Sequence, residues 1–212
     1  MEGRGPRLTL IGAIDDATGE VPYALFRLEE DAQGYFLLLQ HIVATHGPSQ
    51  REGYRDRHSI FETPPRQKES LEEQLVGKRE PTQLGRLLEE LGITSIPSYS
   101  PQARGRIERL WGTFQDRLVS ELRLAGAQSI AQANQVMQDF LPRYNSRFAL
   151  PASQPGPAYR PPVPGFIPQE VFCFKYQRTV GADPSWEGSC ASDPVACKSS
   201  LGWPDPATHA PR

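Results

Sequence analysis

The sequence predicts an α/β domain in its first 150 residues, and three observations point to this fold class. Two apolar runs of strand length, 8–14 and 21–28, are separated by a turn-forming segment, which is the pattern of a β-hairpin. Segments with helical periodicity follow the hairpin. A short strand candidate at 51–55, which leads into Asp56, and a buried strand predicted at 93–97 alternate with those helices, which is typical of a sheet flanked by helices.

The hairpin turn is predicted at 15–19, where Asp15 and Asp16 are followed by Gly19. Aspartate and glycine are favoured in turns, because the aspartate side chain accepts bonds from nearby backbone and glycine adopts positive φ. We therefore expect Asp15 and Asp16 to have a structural role.

Helices are predicted where apolar residues recur every three to four positions. The helix at 30–45 has an inner face of Tyr35, Leu38, Leu39, Ile42 and Val43. Further helices are predicted at 83–91 and 129–148, and Pro142 should bend or break the second because proline lacks a backbone N–H. Residues 62–80 are polar and charged, and we expect them to form a mobile loop.

The composition changes near residue 150, and this change sets the predicted domain boundaries. Twelve of the 21 prolines lie at or after Pro151. The sequence therefore predicts an α/β domain at 1–150, and a Pro-rich linker with a short strand over 171–176 within 151–180. Residues 181–212 are rich in small and polar residues without periodicity, so we expect a disordered tail there.

Composition narrows the class of protein further. The formal net charge is −2, so the whole-chain balance does not support nucleic-acid binding, and any basic surface must be local. The three cysteines lie late in the chain at irregular spacing, which fits neither a disulfide framework nor a zinc site. No apolar run is long enough to span a membrane. We therefore expect a cytoplasmic protein without a membrane partner.

A helix with one acidic residue among arginines is predicted after Pro101. Its apolar stripe comprises Ile107, Leu110, Trp111, Phe114, Leu118 and Leu122. Glu108 lies off this stripe, and Gly105 and Gly112 flank it about one turn away on either side. An acid among bases at a helix start indicates a metal-dependent site that acts on a phosphate backbone. The pattern is equally compatible with a solvated glutamate that forms ordinary helical ion pairs.

Several segments resemble the catalytic core of the DDE transposases and retroviral integrases. The specific ones are Pro-Gln-x-x-Gly-x-x-Glu, which ends at Glu108, and an upstream Asp-x-x-x-x-Phe, which begins at Asp56. Weaker likeness is found at 13–19, 141–148 and 171–176, and the resemblance extends over roughly 2–180. The chain is most similar to insertion-sequence transposases of the ISNCY type. This resemblance implies a ribonuclease H-like fold, with a mixed sheet flanked by helices.

The resemblance also implies roles for two acids. Asp56 matches the second acid of the family's catalytic triad, and Glu108 matches the third. In such enzymes the triad holds two Mg²⁺ or Mn²⁺ ions about 3.5–4 Å apart, and these ions serve strand cleavage and transfer. Both Asp56 and Glu108 are therefore expected to be catalytic residues and metal ligands.

The resemblance places the family's first acid on a central strand that would precede residue 8. We therefore expect 1–150 to be a partial integrase-type core that lacks this strand and is inactive alone. Asp15 and Asp16 are poor substitutes, because the turn they occupy lies more than about 10 Å along the strand from the expected metal site.

The expected partners are DNA, comprising transposon ends and target, and a second copy or a full-length transposase. Arginines near the two acids would bind phosphates by charge, and the candidates are Arg55, Arg57, Arg104, Arg106 and Arg109. Tyr144, Asn145 and Arg147 are further candidates for DNA contact. The expected location is the bacterial cytoplasm, in association with the nucleoid. The alternative function is a non-catalytic DNA-binding or oligomerisation fragment that modulates a full-length transposase.

Overall fold

The computed structural model describes residues 5–15, 17–49, 53–55, 60, 81–97, 101–152, 156 and 158–176. Within these ranges, the side chains of 53–55, 95–97, 101–104, 106 and 107 are not described. The strands are β1 Thr9–Ala13, β2 Tyr23–Arg27, β3 Gly53–Arg55 and β4 Ser95–Pro97. The helices are α1 Ala32–Thr45, α2 Gln83–Glu90, α3 Pro101–Leu124, α4 Ile130–Phe148 and α5 Pro168–Val171. Among the described helices, none combines the length and apolar character needed to cross a membrane.

The strands form two pairs. β1 and β2 are antiparallel, with Ile11 opposite Leu25, which confirms the predicted hairpin. β3 and β4 are parallel, with Arg55 opposite Pro97. No ladder joins the two pairs within the described ranges. A single mixed ribonuclease H-like sheet therefore stays a prediction.

Helices cover both faces of the hairpin. On one face, Ile11 and Leu25 pack against Leu38 and Ile42 of α1. On the other face, Phe26 joins a larger core that is formed mainly by α3 and α4. The core on this second face contains Leu110, Phe114, Leu118, Leu122, Ala133, Met137, Phe140, Leu141 and Tyr144. The result is a three-layer helix–sheet–helix arrangement, and it accounts for the continuous apolar runs in the hairpin strands, because helices cover both faces.

The start of α1 differs slightly from the prediction. Asp31 caps the helix by accepting a hydrogen bond from the Gly34 backbone N–H at 2.8 Å, so α1 begins at Ala32. Arg27 of β2 holds the same carboxylate in an ion pair of 2.7 Å. Phe36 is buried, whereas Tyr35 on the predicted inner face is only half-buried.

The helix α4 runs without interruption through Pro142 to Phe148, so this proline does not break it, and the predicted alternative of a bend stays a prediction. Ser129 and Gln132 form a capping box at its start, which satisfies two backbone N–H groups. Buried side chains on both sides of the proline, including Met137 and Tyr144, hold the helix against the core. Packing therefore offsets the loss of one backbone hydrogen bond.

The strand predicted over 171–176 is also wrong: Val171 ends the one-turn helix α5, and irregular chain follows. This segment is fixed by its side chains instead of by a ladder. Phe174 stacks on Phe36 of α1, with ring centroids 4.9 Å apart. The Gln83 side-chain amide forms two hydrogen bonds with the Lys175 backbone, at 2.6 and 3.0 Å. No described strand pairs with this segment, and its aromatic residues instead contact the neighbouring helices individually, as Phe174 contacts Phe36.

The Lys175 ammonium adds an ion pair to Glu90 at 2.9 Å. Burial raises the pKa of the Glu90 carboxyl, but hydrogen bonds and charges from Arg86 and Lys175 outweigh burial, so the net pKa lies below its ordinary value. These contacts dock the end of the described segment 158–176 on α2.

Arg160 holds the ends of α1 and α2 together. Its guanidinium donates to the Leu91 carbonyl at 2.6 Å, and its backbone N–H donates to the Pro48 carbonyl at 3.0 Å. Gly47 and Gly92 have positive φ, and a Cβ at either position would overlap Arg160. Glycine is therefore favoured at both positions by the positive φ, and at Gly47 also by the fixed backbone of Arg160.

Candidate active site

The helix α3 carries the predicted acid in the first half of its length. It begins three residues after β4 and runs from Pro101 to Leu124, which confirms the helix predicted after Pro101. Leu110 and Phe114 are buried, whereas Glu108 and the neighbouring Arg109 are exposed. The apolar stripe thus faces the core and leaves the Glu108 carboxylate accessible to solvent.

The second predicted acid follows β3 directly in the sequence. β3 ends at Arg55, whose backbone is opposite Pro97 of β4, and the two strands run in the same direction. Their carboxyl ends therefore meet at one edge of the pair, and the chain leaves this edge from β4 towards α3. Asp56 itself lies outside the described residues, as does Arg57. The distance between Asp56 and Glu108 stays a prediction.

The described residues leave the two glycines beside Glu108 without close neighbours. Apart from the adjoining residues and the nearby backbone of α3, no described atom lies within 4 Å of a Cβ built at Gly105 or at Gly112. Packing against the described residues therefore requires neither glycine, although each costs about 1 kcal/mol in a helix relative to alanine. Gly105 is half-buried, and Gly112 is exposed.

The predicted phosphate-binding arginines are only partly described. Arg109 is exposed, while Arg104 and Arg106 lie on α3 with side chains outside the description, and only the backbone of Arg55 is described. A different pair of arginines gathers further along the helices. Arg117 of α3 and Arg147 of α4 both lie over the Phe148 ring, with guanidinium carbons 5.0 and 5.6 Å from its centroid. Of this pair, sequence reasoning named only Arg147.

Asp15 has the structural role that the sequence predicts. Its carboxylate accepts a hydrogen bond from the Ala17 backbone N–H at 2.9 Å, and its carbonyl accepts one from Gly19 at 2.7 Å. These bonds close the hairpin turn at the far end of β1. Asp16 lies outside the described residues.

The turn also affects the ionisation of Tyr159. Burial, together with the negative charges of Asp15 and Glu20, raises the pKa of Tyr159 to about 12.

In the described part of the chain, no three His, Cys, Asp or Glu side chains are grouped so that they can hold a metal ion. Of the two predicted ligands, Glu108 belongs to the described residues, whereas Asp56 lies outside them. An exposed glutamate and an aspartate supply oxygen donors, which are the ligands that Mg²⁺ and Mn²⁺ prefer. The donor chemistry therefore fits the expected cation.

Two asparagines on α4 bind the backbone beside the hairpin. The Asn134 amide accepts from the Phe26 N–H at 2.6 Å and donates to the Phe26 carbonyl at 3.2 Å. The Asn145 amide accepts from the Val21 N–H and donates to the Val21 carbonyl, both at 2.9 Å. We call these two residues the asparagine clamps.

The spacing of the clamps matches the spacing of their targets. Eleven residues of helix rise about 16 Å, and five residues of extended chain cover about the same length. The helix α4 therefore lies antiparallel to β2 and replaces a neighbouring strand along part of its outer edge. The sequence gives no signal for this arrangement.

The clamps also correct an expectation about DNA contact. Asn145 is engaged with the backbone of Val21, and Tyr144 is buried among Phe114, Phe140 and Phe148. Burial raises the pKa of the Tyr144 hydroxyl. Neither side chain is available for DNA, so of these expected contacts only Arg147 keeps an exposed charged group.

Trp111 is half-buried, as expected for a residue on the apolar stripe. Its indole lies against β1 at Gly12, where a Cβ would be 3.4 Å from the ring atom Cη2. The same ring meets Phe114 edge-on, with centroids 5.8 Å apart. Trp111 therefore contacts the hairpin directly, about one helical turn beyond Glu108.

Two known proteins are similar to this chain in sequence. The chain is 36% identical over 184 residues to a putative transposase, y4bF, of Sinorhizobium fredii, a match that covers 86% of this chain and 38% of the relative. It is 32% identical over 146 residues to the transposase for insertion sequence IS1202 of Streptococcus pneumoniae, which covers 68% of this chain and 30% of that relative. No family model and no solved structure matches the chain.

These similarities relate the chain to transposases. The chain spans little more than a third of the length of the first relative and less than a third of the second. The similarity therefore does not establish the reaction of this chain, its metal ions or its DNA substrate.

Proposed function

We propose that this chain is part of the catalytic core of a DDE transposase with a ribonuclease H-like fold, most similar to the ISNCY type. Its expected reaction is metal-dependent phosphoryl transfer on DNA, with Asp56 and Glu108 as two of the acidic ligands. The observation that carries the proposal is the exposed Glu108 on the helix that follows β4, because β4 is parallel to the strand that precedes Asp56. The similarity to two named transposases supports it.

The pairing of the strands supports the proposed fold. The chain contains an antiparallel hairpin followed by a parallel pair, with helices on both faces of the hairpin. The resemblance implies one further central strand between β1 and β3. Two pairs without a joining ladder are compatible with that arrangement.

The residues present define what this part of the site contributes. The carboxylates of Asp56 and Glu108 would hold the cations, and bound cations would activate the attacking oxygen and stabilise the leaving oxygen of a phosphodiester. Arg109 is exposed and follows Glu108 directly in the sequence, which supports a role for its guanidinium in binding a phosphate of the DNA. Among the described residues, no atom outside the adjoining residues and the nearby backbone of α3 lies within 4 Å of a Cβ at Gly105 or Gly112, which supports an approach of the DNA backbone there.

The test is Mn²⁺ binding to the full chain, measured by electron paramagnetic resonance of the free ion. We expect the wild-type chain to bind Mn²⁺ and Glu108→Gln to weaken the affinity by at least about tenfold, because the amide removes the charge of one ligand. Asp56→Asn should have an effect of similar size. Asp116→Asn is the matched control, since Asp116 is an exposed carboxylate on the same helix.

Equal Mn²⁺ affinity in the wild-type chain and in Glu108→Gln would contradict the assignment of Glu108. Strand transfer should be assayed on duplex DNA that carries candidate transposon ends, with the wild-type chain, Glu108→Gln and Asp116→Asn in parallel. Mn²⁺ binding without strand transfer would support the metal site and limit the function of this chain to binding.

A second candidate function is a DNA-binding module without catalysis that assembles with a full-length transposase. The observation that favours it is the pair Arg117 and Arg147, which come from different helices and share the ring of Phe148. Two guanidinium groups gathered on one aromatic residue create a local positive charge that the net charge of −2 conceals.

This second function predicts a salt dependence. Replacing both Arg117 and Arg147 with glutamine should reduce the slope of log affinity against log salt by about 2 for duplex DNA, because two phosphate contacts are lost. Fluorescence anisotropy of a labelled duplex at several salt concentrations measures the slope. Arg143→Gln is the control, since Arg143 is already paired with Glu121 at 2.9 Å. An unchanged slope in the double variant would exclude this surface.

A further inference from the structure

We propose that residues 158–176 form a strap that opens and closes as one unit over the apolar core of α1 and α2, while α3 and α4 stay folded. We call this core the α1–α2 core, and its buried members are Phe36, Val43, Leu84, Leu87, Leu88, Leu91 and Ile93. The inference goes beyond the proposed function, because it concerns none of the candidate metal ligands.

Side chains hold the strap at both of its ends. At its start, Arg160 donates hydrogen bonds to two backbone carbonyls, which lie just beyond the ends of α1 and α2. At its other end, the Gln83 side-chain amide of α2 forms two hydrogen bonds with the Lys175 backbone. Phe174 stacks on Phe36 beside this second anchor. The strap is therefore fixed to the same two helices at both ends.

The strap covers a buried core without being buried itself. Every residue of 158–176 is half-buried or exposed. Beneath it, Leu84 and Leu87 are 1% and 0% exposed, and Phe166 and Phe172 pack against their cluster from outside. Segments with few buried apolar contacts open at a lower free energy than the core of the same protein. The strap should therefore open without global unfolding.

The core between α3 and α4 does not depend on the strap. Among the described residues, no strap side chain belongs to that core. Tyr159 is the strap residue that packs against the cluster of α1 and the hairpin, and its ring stacks on His46, with centroids 5.1 Å apart. Release of the strap thus removes contacts from the hairpin face that carries α1, and leaves the packing between α3 and α4 in place.

The contacts of the strap depend on one another. The rings of Phe166 and Phe172 meet edge-on, with centroids 6.4 Å apart, and both pack against the α1–α2 core. The helix between them, α5, is a single turn, which is too short to be stable when it is detached. Lifting either ring therefore exposes the other, and this mutual dependence makes the strap a single opening unit.

Amide hydrogen exchange of the full chain, followed residue by residue with nuclear magnetic resonance, tests the strap. The backbone N–H groups of Arg160 and Phe172 are both hydrogen-bonded and lie 12 residues apart in the strap. We expect the two to report the same opening equilibrium, at least about tenfold more favourable than that of Met137 in the buried face of α4. Unequal opening at Arg160 and Phe172, or protection at Arg160 equal to that at Met137, would overturn the proposal.

Gln83→Ala tests the unit from one end. It removes both hydrogen bonds to Lys175, and alanine at the first residue of α2 keeps the helix favourable. We expect exchange at Arg160, near the other end of the strap, to accelerate by about tenfold, because two exposed hydrogen bonds are lost. Phe172 should accelerate by the same factor, and Met137 should be unchanged.

Glu89→Ala is the matched control, since Glu89 is an exposed residue of the same helix, and it should change none of the three exchange rates. An equal acceleration at Arg160 and Phe172 in Gln83→Ala supports the strap. An acceleration that is absent, that is confined to the neighbours of Lys175, or that Met137 shares would contradict it, because the segment would then fray locally or unfold only with the whole chain.

Discussion

Replacing Phe114 with alanine should lower the free energy of unfolding by about 3–5 kcal/mol, because it removes a fully buried aromatic ring and leaves a cavity. Phe114 is 2% exposed and lies at the centre of the aromatic core between α3 and α4. Its ring centroid is 5.4 Å from that of Phe140 and 5.3 Å from that of Tyr144. Each such pair contributes about 0.5–1.5 kcal/mol beyond the burial of apolar area.

Urea denaturation followed by far-ultraviolet circular dichroism measures this loss. Phe148→Ala is the matched control, since Phe148 is a half-buried phenylalanine at the margin of the same cluster. It should cost about 1–2 kcal/mol, since less apolar surface returns to water. Equal losses in the two variants would show that the cluster is not organised around Phe114.

Replacing either asparagine clamp with leucine should lower the free energy of unfolding by about 2 kcal/mol. Each amide satisfies one backbone N–H and one backbone carbonyl, at Phe26 for Asn134 and at Val21 for Asn145. A part-buried polar group that loses its partner costs about 1–3 kcal/mol, and partial access to water moves the sum towards the lower end. Leucine is similar in size, so the effect reports the hydrogen bonds more than the packing.

The two clamps lie far enough apart on α4 for their effects to add. The double variant should therefore lose about 4 kcal/mol. Gln135→Leu is the control, because Gln135 is an exposed amide on the same helix and its replacement should change stability by less than about 0.5 kcal/mol. If the asparagine variants behave like Gln135→Leu, water replaces the clamps and they contribute nothing.

Local signals in the sequence predicted most of the elements. The hairpin follows from two apolar runs around a turn, and the start of α4 follows from Ser129 and Gln132, which lie close enough to form a capping box. The strand predicted over 171–176 was wrong for a physical reason. A strand forms only where a second strand is available for backbone hydrogen bonds. Alternating aromatic residues can instead pack individually against a helix, as Phe174 packs on Phe36.

Long-range contacts were not predictable from the sequence. An asparagine on a helix has the same local pattern whether it faces water or a strand. The clamps bind backbone that is 108 and 124 residues away in the sequence. The same limit applies to Gly12, whose partner Trp111 is on α3, and to Arg160, which closes the ends of α1 and α2.

The candidate site was predictable in part. The periodicity of α3 predicts that Glu108 lies off the buried stripe, and the structure confirms that it is exposed. Its pairing with Asp56 came from a resemblance, because nothing local connects two acids so far apart in the sequence. The structure describes β3, which precedes Asp56, as parallel to β4, which precedes α3, and the pairing of the two acids stays a prediction.

The asparagine clamps have a consequence for how this chain meets other polypeptides. An exposed strand edge is a template onto which a foreign strand can add, and such addition leads to aggregation. Along β2 that template is occupied at Phe26 by an amide from the chain's own helix. A strand from another molecule would therefore have to displace the Asn134 amide before it could pair with β2 at this residue.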